Sequence, residues 1–440
     1  MLAFQKYQNK KIAIYGMGIT GRSVAKTFKK MKVKIFCWDD DEKIRKKAKK
    51  LTFPLNKFWI SQKDIDAIVV SPGININKCN IKNYLKKNLD KIITDLDIFF
   101  ELNKKTKIIS ITGTNGKSTT CKIIEKILKT AKRNVVTVGN IGKPILSFKK
   151  IKKNYIFILE VSSYQLQYSR LFRSKHAAIL NISPDHLERH GNLINYIKTK
   201  SKIFFAQNST DYSYINIKNI HSKKIKNIFK RKKIKSNLYN INSSNYNFLK
   251  KKINNIYFKS KGNFENLSFA YQILKNLKIN EKIIIDGLNK FKGLPHRQEI
   301  VFSNKKLLCI NDSKATSFDA SLQSLSNYEK IYWIVGGLSK YKDKFNLKNI
   351  KNEIIKAYII GKNTTFFTQQ IKNDIPFTIS RDLKNAVNSI YNDIKFNKSK
   401  KNTILFSPAA ASYDQFKNFE DRGTFFKKII IKKFKRKLNV

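Results

Sequence analysis

Ile111-Thr112-Gly113-Thr114-Asn115-Gly116-Lys117-Ser118-Thr119 is the stretch on which the reading of this chain turns. The apolar run Lys107 to Ile111 precedes it, and Cys121, Ile124, Ile127, Leu128 and Ala131 follow at the spacing of one buried helical stripe. Strand, glycine loop and helix in that order make a phosphate-binding loop. Glycines let the backbone approach a polyphosphate, amides at the helix start face the anion, Lys117 adds charge, and a Ser118 or Thr119 hydroxyl can ligate Mg²⁺. ATP is the expected ligand. Ile111 stands where the strict nucleotide-loop pattern has its first glycine, so a polar turn that merely contains Gly-Lys-Ser is the competing reading. Agreement between strand, loop and helix weighs against it.

The same alternation extends outward in both directions. Ile12 to Tyr15, a glycine loop, a helical stretch from Thr20, Val33 to Trp38 and Ala67 to Val70 form a Rossmann-like beginning. Behind the phosphate loop come Val135 to Val138, Tyr155 to Leu159 and Ala177 to Leu180. A third series starts near Leu307 and continues through Ile331 to Val335, Tyr358 to Ile360 and Thr403 to Phe406. The expected fold is α/β, with three tandem α/β domains: a Rossmann-like N-terminal domain over 1–104, a central P-loop ATPase domain over 105–297 and a Rossmann-like C-terminal domain over 298–440. The lysine- and asparagine-rich stretch Ser222 to Ser260 is expected to be irregular.

The 440 residues suggest about three domains at roughly 150 residues each. No apolar run approaches the roughly 20 residues of a membrane span, and Met1 to Lys10 lacks the apolar core of a signal peptide, so a cytoplasmic enzyme is expected. Cys37, Cys79, Cys121 and Cys309 are scattered without metal-ligand or disulfide spacing. The formal charge of +60 would by itself point to nucleic acid. Lysine is spread through nearly every segment beside abundant Ile, Asn and Phe, however, which is the bias of AT-rich coding and is blind to function. Salt-sensitive nonspecific adsorption is expected, and a specific nucleic-acid partner is not. No periodicity suggests an oligomer interface, and a monomer is the default.

Several constellations sit at strand ends, where α/β sheets place ligands. Gly16-Met17-Gly18-Ile19-Thr20-Gly21 follows a strand and Asp39 ends the next, which suits a dinucleotide or other nucleotide diphosphate, or else a ligand-free tight turn. Glu160 ends the strand before Val161-Ser162-Ser163, where a Mg²⁺ ligand is wanted. His186, in Asn181-Ile182-Ser183-Pro184-Asp185-His186, is a metal or phosphate contact or a hydrogen-bonded structural residue. Lys200 cannot be told from Lys198 or Lys202 by its own chemistry. Asn311-Asp312-Ser313-Lys314-Ala315-Thr316 follows another strand, and Arg297 in Pro295-His296-Arg297 offers a planar fork to phosphate.

Taken together these residues resemble the ATP-dependent Mur ligases, which build the peptidoglycan stem peptide. The likeness covers nearly the whole chain: the phosphate loop, Gly139-Asn140-Ile141-Gly142, Glu160-Val161-Ser162-Ser163, Gly293-Leu294-Pro295-His296-Arg297 and Asn311 to Thr316 occur in the family's order. The run Leu405 to Gly423 resembles the D-glutamate-adding branch. The resemblance implies an ATP-dependent acid–D-amino-acid ligase whose substrates are UDP-N-acetylmuramoyl-L-alanine and D-glutamate. An acyl phosphate forms and the amine of D-glutamate attacks it, releasing ADP and phosphate. It implies that the first glycine loop holds UDP, with Ile19 and Thr20 at the diphosphate, Asp39 at the uracil side, and Ser71, Gly73 and Asn140 along the same substrate.

By the same resemblance Gly113, Thr114, Asn115, Gly116, Lys117, Ser118 and Thr119 bind ATP, with Asn266, Arg297 and Asp312 on its adenine and ribose side. Two Mg²⁺ ions are implied: Ser118 or Thr119 and Glu160 for the first, His186 and a carbamate made from CO₂ on Lys200 for the second. Lys117, Lys200, His186 and Glu160 are the implied catalytic set. D-Glutamate is placed near Lys314, Thr316, Lys340, Ser412 and Phe419. Two positions depart from the family pattern: Gly262-Asn263 replaces a usual His-Asn pair before Asn266, and Ala410 stands where a cysteine is common. The rival readings are a sister ligase with another amino acid or folate, a nucleic-acid-stimulated ATPase, and an inactive scaffold.

Overall fold

Three sheets organise the described residues, their central strands built from short runs of β-branched and aromatic residues that are apolar on both faces, as parallel strands covered by helices require. The computed structural model describes residues 6–61, 64–139, 144–147, 154–339, 344–396 and 402–435. The first sheet holds β1 (Lys11–Tyr15), β2 (Lys34–Trp38), β3 (Ala67–Val70) and β4 (Ile92–Ile93), all parallel, in the order β2-β1-β3-β4. Ile12 and Ile14 enter one apolar cluster while Ala13 and Tyr15 enter the cluster on the opposite face.

The second sheet is also fully parallel. It holds β5 (Lys107–Thr112), β6 (Val135–Gly139), β7 (Ile156–Glu160), β8 (His176–Ile179), β9 (Tyr212–Asn216) and β10 (Asn237–Ile241), in the order β10-β9-β8-β5-β7-β6. β5 lies between β7 and β8, so the loops leaving β5, β7 and β8 open side by side at one edge. The third sheet holds β11 (Glu299–Ser303), β12 (Leu307–Asn311), β13 (Ile331–Gly336), β14 (Ile354–Ile360), β15 (Phe377–Arg381) and β16 (Asn402–Phe406), in the order β11-β12-β16-β13-β14-β15. Only β11 runs antiparallel, at an edge. The chain divides into two compact units, Met1–Asn254 with Glu265–Asn289, and Asn255–Phe264 with Lys290–Val440; the first two sheets share the first unit.

The stretch expected to be irregular is not. It contains the helix Ser222–Arg231, the strand β10 and a short helix Phe248–Lys252. Ile225 and Phe229 lie one helical turn apart and are buried, but the lysines around them mask the stripe. β10 is an edge strand in which only Ile241 is fully buried, so its composition is that of a loop.

A polar knot ties the helix Asp95–Leu102 to the segment ahead of β8. Asp97 Oδ1 accepts from Ser169 Oγ at 2.7 Å and from the amides of Leu171 and Phe172 at 2.8 and 3.0 Å, while its other oxygen closes a capping box with Thr94. Asp95 beside it has Oδ1 buried with no hydrogen-bond partner among the described residues. Burial, and then the Asp97 charge, push its carboxyl up to about 6. A carboxyl raised from 3.8 to about 6 binds its proton more tightly when folded, so its contribution to stability is full below the unfolded value and falls as pH rises through 6. Asp95→Asn is therefore expected to be more stable than the parent at pH 8, by at most about 3 kcal/mol, with the difference shrinking toward pH 4. Urea unfolding at both pH values checks the slope; a variant less stable at pH 8 than at pH 4, relative to the parent, contradicts it.

Candidate active site

β5 delivers the chain to Gly113, and the loop ends at Gly116, which caps the helix Lys117–Thr130 at φ +82°. Glycine is required there for two reasons. The backbone is left-handed, and a Cβ would lie 2.1 Å from Asn266 Oδ1. The helix is held down by Cys121, Ile123, Ile124, Ile127 and Leu128, all buried, each worth about 1.5–3 kcal/mol for the larger side chains. A helix start has no acceptor for its first amides within the helix, which makes it a favourable place for an anion.

The loop is braced from β8. Asn181 Oδ1 accepts from the Asn115 amide at 2.8 Å, Asn181 Nδ2 donates to the Asn115 carbonyl at 3.2 Å, and the Asn181 carbonyl accepts from the Thr114 amide at 3.0 Å. Thr114 Oγ1 accepts from the Ser183 amide at 3.0 Å and lies 3.2 Å from Tyr196 OH. Asn181 and Ser183 were read from sequence only as part of the strand-end run that holds His186, and Tyr196 was given no role. A polar residue just after a strand next to a phosphate loop was the available signal for the first two.

Lys117 Nζ lies over its own loop, donating to the carbonyls of Gly113 at 2.9 Å and Thr114 at 2.8 Å. Ser118 Oγ donates to Glu160 Oε2 at 2.7 Å across the β5–β7 pair, and Ser118, Thr119 and Glu160 are all buried. Among the described residues no group of three or more His, Cys, Asp and Glu could hold a metal. One carboxylate with one hydroxyl fits Mg²⁺, which keeps water and takes phosphate oxygens as its other ligands. Thr120 Oγ1 donates to the Gly116 carbonyl at 3.0 Å and lies 3.4 Å from Asn266 Oδ1, so Asn266 packs against the end of the loop. A Cβ at Gly262 would meet no atom within 4 Å.

Lys200 is the sequence ambiguity that the structure resolves in placement. The helix Leu193–Ser201 turns Lys200 inward until it is 2% exposed, with Nζ donating to the Gly113 carbonyl at 2.9 Å and lying 4.7 Å from the Tyr196 ring centre. Burial and the Lys117 charge hold its ammonium well below the usual lysine range, opposed by Asp185 and Glu160. Lys198 and Lys202 do not point there and line a separate cleft. His186 adopts φ +54°, with Nε2 3.3 Å from Asp185 Oδ2 and its ring 4.9 Å from that of Tyr164.

A cleft of about 600 Å³ opens within the same unit, lined by Ile19, Thr20, Gly73 and Gly139 together with Lys78, Tyr164 and Arg189. Gly21 packs so closely that a Cβ would lie 1.8 Å from the Gly16 carbonyl oxygen. Asp39 and Ser71 are buried under the loop, where Asp39 Oδ2 accepts from the Met17 amide at 2.6 Å and Ser71 Oγ donates to the Gly16 carbonyl at 2.6 Å. They shape the glycine loop and do not line the cleft. Arg189 was missed from sequence: its guanidinium donates to the carbonyls of Pro72 and Gly73, both at 3.3 Å, and of Ile74, and to Gln167 Oε1 at 2.6 Å. Asn140 and Lys340 lie outside the described residues.

In the second unit Lys314 Nζ sits 3.7 Å from the centre of the Phe419 ring, and Ser313 Oγ donates to the Phe419 carbonyl at 2.9 Å. Thr316 is half-buried two residues on, and Ser412 is buried. Asp312 accepts from Ser324 Oγ at 2.6 Å, Ser407 Oγ at 3.0 Å and the Gln298 amide at 3.2 Å, and burial pushes its carboxyl up to about 6. Arg297 is half-buried in a turn between His296 and Gln298, both at positive φ. Arg422, also missed, is 1% exposed and clamps two segments, donating to Ser313 Oγ at 3.1 Å and to the carbonyls of Ser313 at 2.8 Å and Ala410 at 3.0 Å.

Comparison with known proteins agrees with this layout. Residues 10–93 match the model of the Mur ligase MurD-like N-terminal domain, and residues 111–283 that of the Mur ligase middle domain. The UDP-N-acetylmuramoylalanine--D-glutamate ligase of Rickettsia prowazekii (strain Madrid E) is 35% identical over 96% of this chain and 98% of its own. The protein of the same name from Rickettsia bellii (strain RML369-C) is 36% identical over 97% and 98%. The crystal structure of MurF ligase from Thermotoga maritima in complex with ADP shares the fold at a TM-score of 0.53, with 16% identity over 84% of this chain and 90% of that one. Near-full-length identity of this size, with both domain models in register with the phosphate loop and the glycine loop, means that this chain belongs to the Mur ligase family, in the branch of the UDP-N-acetylmuramoylalanine--D-glutamate ligases.

Proposed function

We propose that this chain is an ATP-dependent ligase that joins the amine of D-glutamate to the terminal carboxylate of UDP-N-acetylmuramoyl-L-alanine, releasing ADP and phosphate, in peptidoglycan precursor synthesis. The observation that carries the reading is the braced phosphate loop with Glu160 and Lys200 packed against it. Relatives named for this reaction over nearly the whole chain supply the substrates.

The chemistry requires three anions to meet: the triphosphate, the acceptor carboxylate and D-glutamate. Lys117 and the loop amides offset the charge that spreads over the transferring phosphoryl group. Mg²⁺, when bound with ATP, supplies further charge neutralisation, and Ser118 or Thr119 with Glu160 are the residues that would hold it. Phosphoryl transfer to the carboxylate gives an acyl phosphate; the uncharged amine of D-glutamate attacks its carbonyl carbon, and phosphate leaves. Excluding water protects that intermediate from hydrolysis.

Lys200 is buried, and burial favours its neutral amine over the ammonium. A neutral amine adds to CO₂ and loses a proton to become an anionic carbamate, an oxygen ligand suited with His186 to a second Mg²⁺. UDP belongs in the cleft of Ile19, Thr20 and Gly73, with Asp39 and Ser71 setting its loop and Asn140 on the same substrate. Asn266, Arg297 and Asp312 are assigned to the adenine and ribose side, and Lys314, Thr316, Lys340, Ser412 and Phe419 to D-glutamate. The corresponding domains are 1–104 for the UDP-substrate, 105–297 for ATP and 298–440 for the amino acid. Among the described residues no helix is long and apolar enough to cross a membrane; a cytoplasmic monomer is the form proposed.

The deciding experiment measures phosphate release with Mg²⁺-ATP, UDP-N-acetylmuramoyl-L-alanine and single added amino acids or RNA. Release is expected only when the UDP-substrate and D-glutamate are both present. Release that follows another amino acid, or RNA without the UDP-substrate, rejects the assignment.

A further inference from the structure

On the side of the helix Leu193–Ser201 away from Lys200 lies a second cleft, of about 450 Å³. Five of its lining residues are cations: Arg189, Lys198, Lys202, Arg231 and Lys232; none of its described lining residues is Asp or Glu. The chain's lysine bias explains cations on open surface, where water and salt screen them. Arg189 and Lys202 are half-buried while Lys198, Arg231 and Lys232 are exposed, and the bias does not account for all five lining one concave cleft with no carboxylate among its described lining residues, where like charges add to one field.

Helix ends account for part of the charge. The helices Leu193–Ser201 and Ser222–Arg231 both finish here, and each C-terminus carries about half a negative charge. Together they offset roughly one of the five cations, leaving about four. Two of the five are fixed in place by one residue: Lys202 Nζ donates to the Gln167 carbonyl at 2.5 Å and Arg189 Nε to Gln167 Oε1 at 2.6 Å. Burial is the main cause that lowers the pKa of both groups. Thr199 and Asn195 add hydrogen-bonding groups to the lining, and Phe205 an apolar wall.

We propose that this cleft is a second anion site, separate from the phosphate loop and from the cleft of Ile19 and Thr20, that takes a chain of two or more phosphates, either inorganic or carried by a nucleotide. Arg189 lines both clefts, so an occupant here touches the same side chain that holds the Pro72–Ile74 segment of the other.

The test counts bound inorganic pyrophosphate by equilibrium dialysis in 150 mM salt, without Mg²⁺ and with saturating UDP filling the first cleft; ADP replaces pyrophosphate in a parallel arm. The variant Lys198→Ala/Arg231→Ala/Lys232→Ala is expected to lose one equivalent, its affinity falling at least tenfold, while its thermal midpoint stays within a few degrees of the parent's and its ligase turnover within twofold. A control, Lys47→Ala/Lys49→Ala/Lys50→Ala, removes the same charge from the exposed helix Glu42–Lys50 and is expected to keep that equivalent. Tighter ADP than pyrophosphate at this equivalent assigns a nucleotide, and equal affinity assigns the phosphate chain alone. An unchanged stoichiometry in the first variant, or the same loss in the control, overturns the proposal.

Discussion

Lys117→Met is expected to lower the rate of phosphate release by about 10³-fold or more, with the fold intact. A preorganised charge aimed at a developing anion is commonly worth about 10²–10³ in rate, and Lys117 Nζ lies over the loop, 2.9 and 2.8 Å from the carbonyls of Gly113 and Thr114. Methionine keeps most of the volume and removes the charge together with the hydrogen bonds to the Gly113 and Thr114 carbonyls. The loop keeps its ties to Asn181 and Ser183, so the thermal midpoint is expected to move by only a few degrees. Steady-state kinetics with a circular dichroism melt separates the outcomes. A correctly folded variant retaining a tenth of parental activity would remove Lys117 from the mechanism.

Lys200→Ala is expected to cost at least about 10²-fold in turnover and, unlike Lys117→Met, to be partly restored by a short carboxylic acid. The substitution leaves a buried space beside Thr112 and Gly113 that formate or acetate can enter, supplying the oxygen ligand that the carbamate would otherwise provide. The same assignment fixes a sign for pH. Protonating the amine prevents carbamate formation, so parental activity should fall as pH is lowered, and added bicarbonate should oppose that fall. Full activity in the unrescued variant, or rescue no better than chloride, sinks the carbamate.

The strands carrying the site were legible because burial on both faces makes them apolar: β1, β5, β7, β8, β12, β13 and β16 announce themselves in composition. Edge strands such as β10 and β11 were not, since half their residues face water or a sheet margin and read as loop. The phosphate loop, Glu160 and Asn266 were readable from local chemistry or family likeness and came together in space. Lys200 was picked out by family likeness and not by its own chemistry; helix phase is the physical difference, turning Lys198 and Lys202 to the other face. Asp39 and Ser71 were read as ligand contacts, yet their polar atoms bond to the glycine loop, a distinction that depends on rotamer and not on sequence. Arg189 and Arg422 were invisible because most of their partners are backbone carbonyls, which every residue carries alike.

The hydrogen bonds from Asn181 to the phosphate loop bear on how nucleotide binding is distributed between folding and association. Freezing one backbone residue costs about 1–2 kcal/mol, and a floppy loop would meet that cost each time nucleotide arrived. Here β8 holds Thr114 and Asn115 in position through three hydrogen bonds that need no ligand. The ordering entropy is therefore met once, when the chain folds, and nucleotide exchange can proceed against a loop whose amides are already aligned.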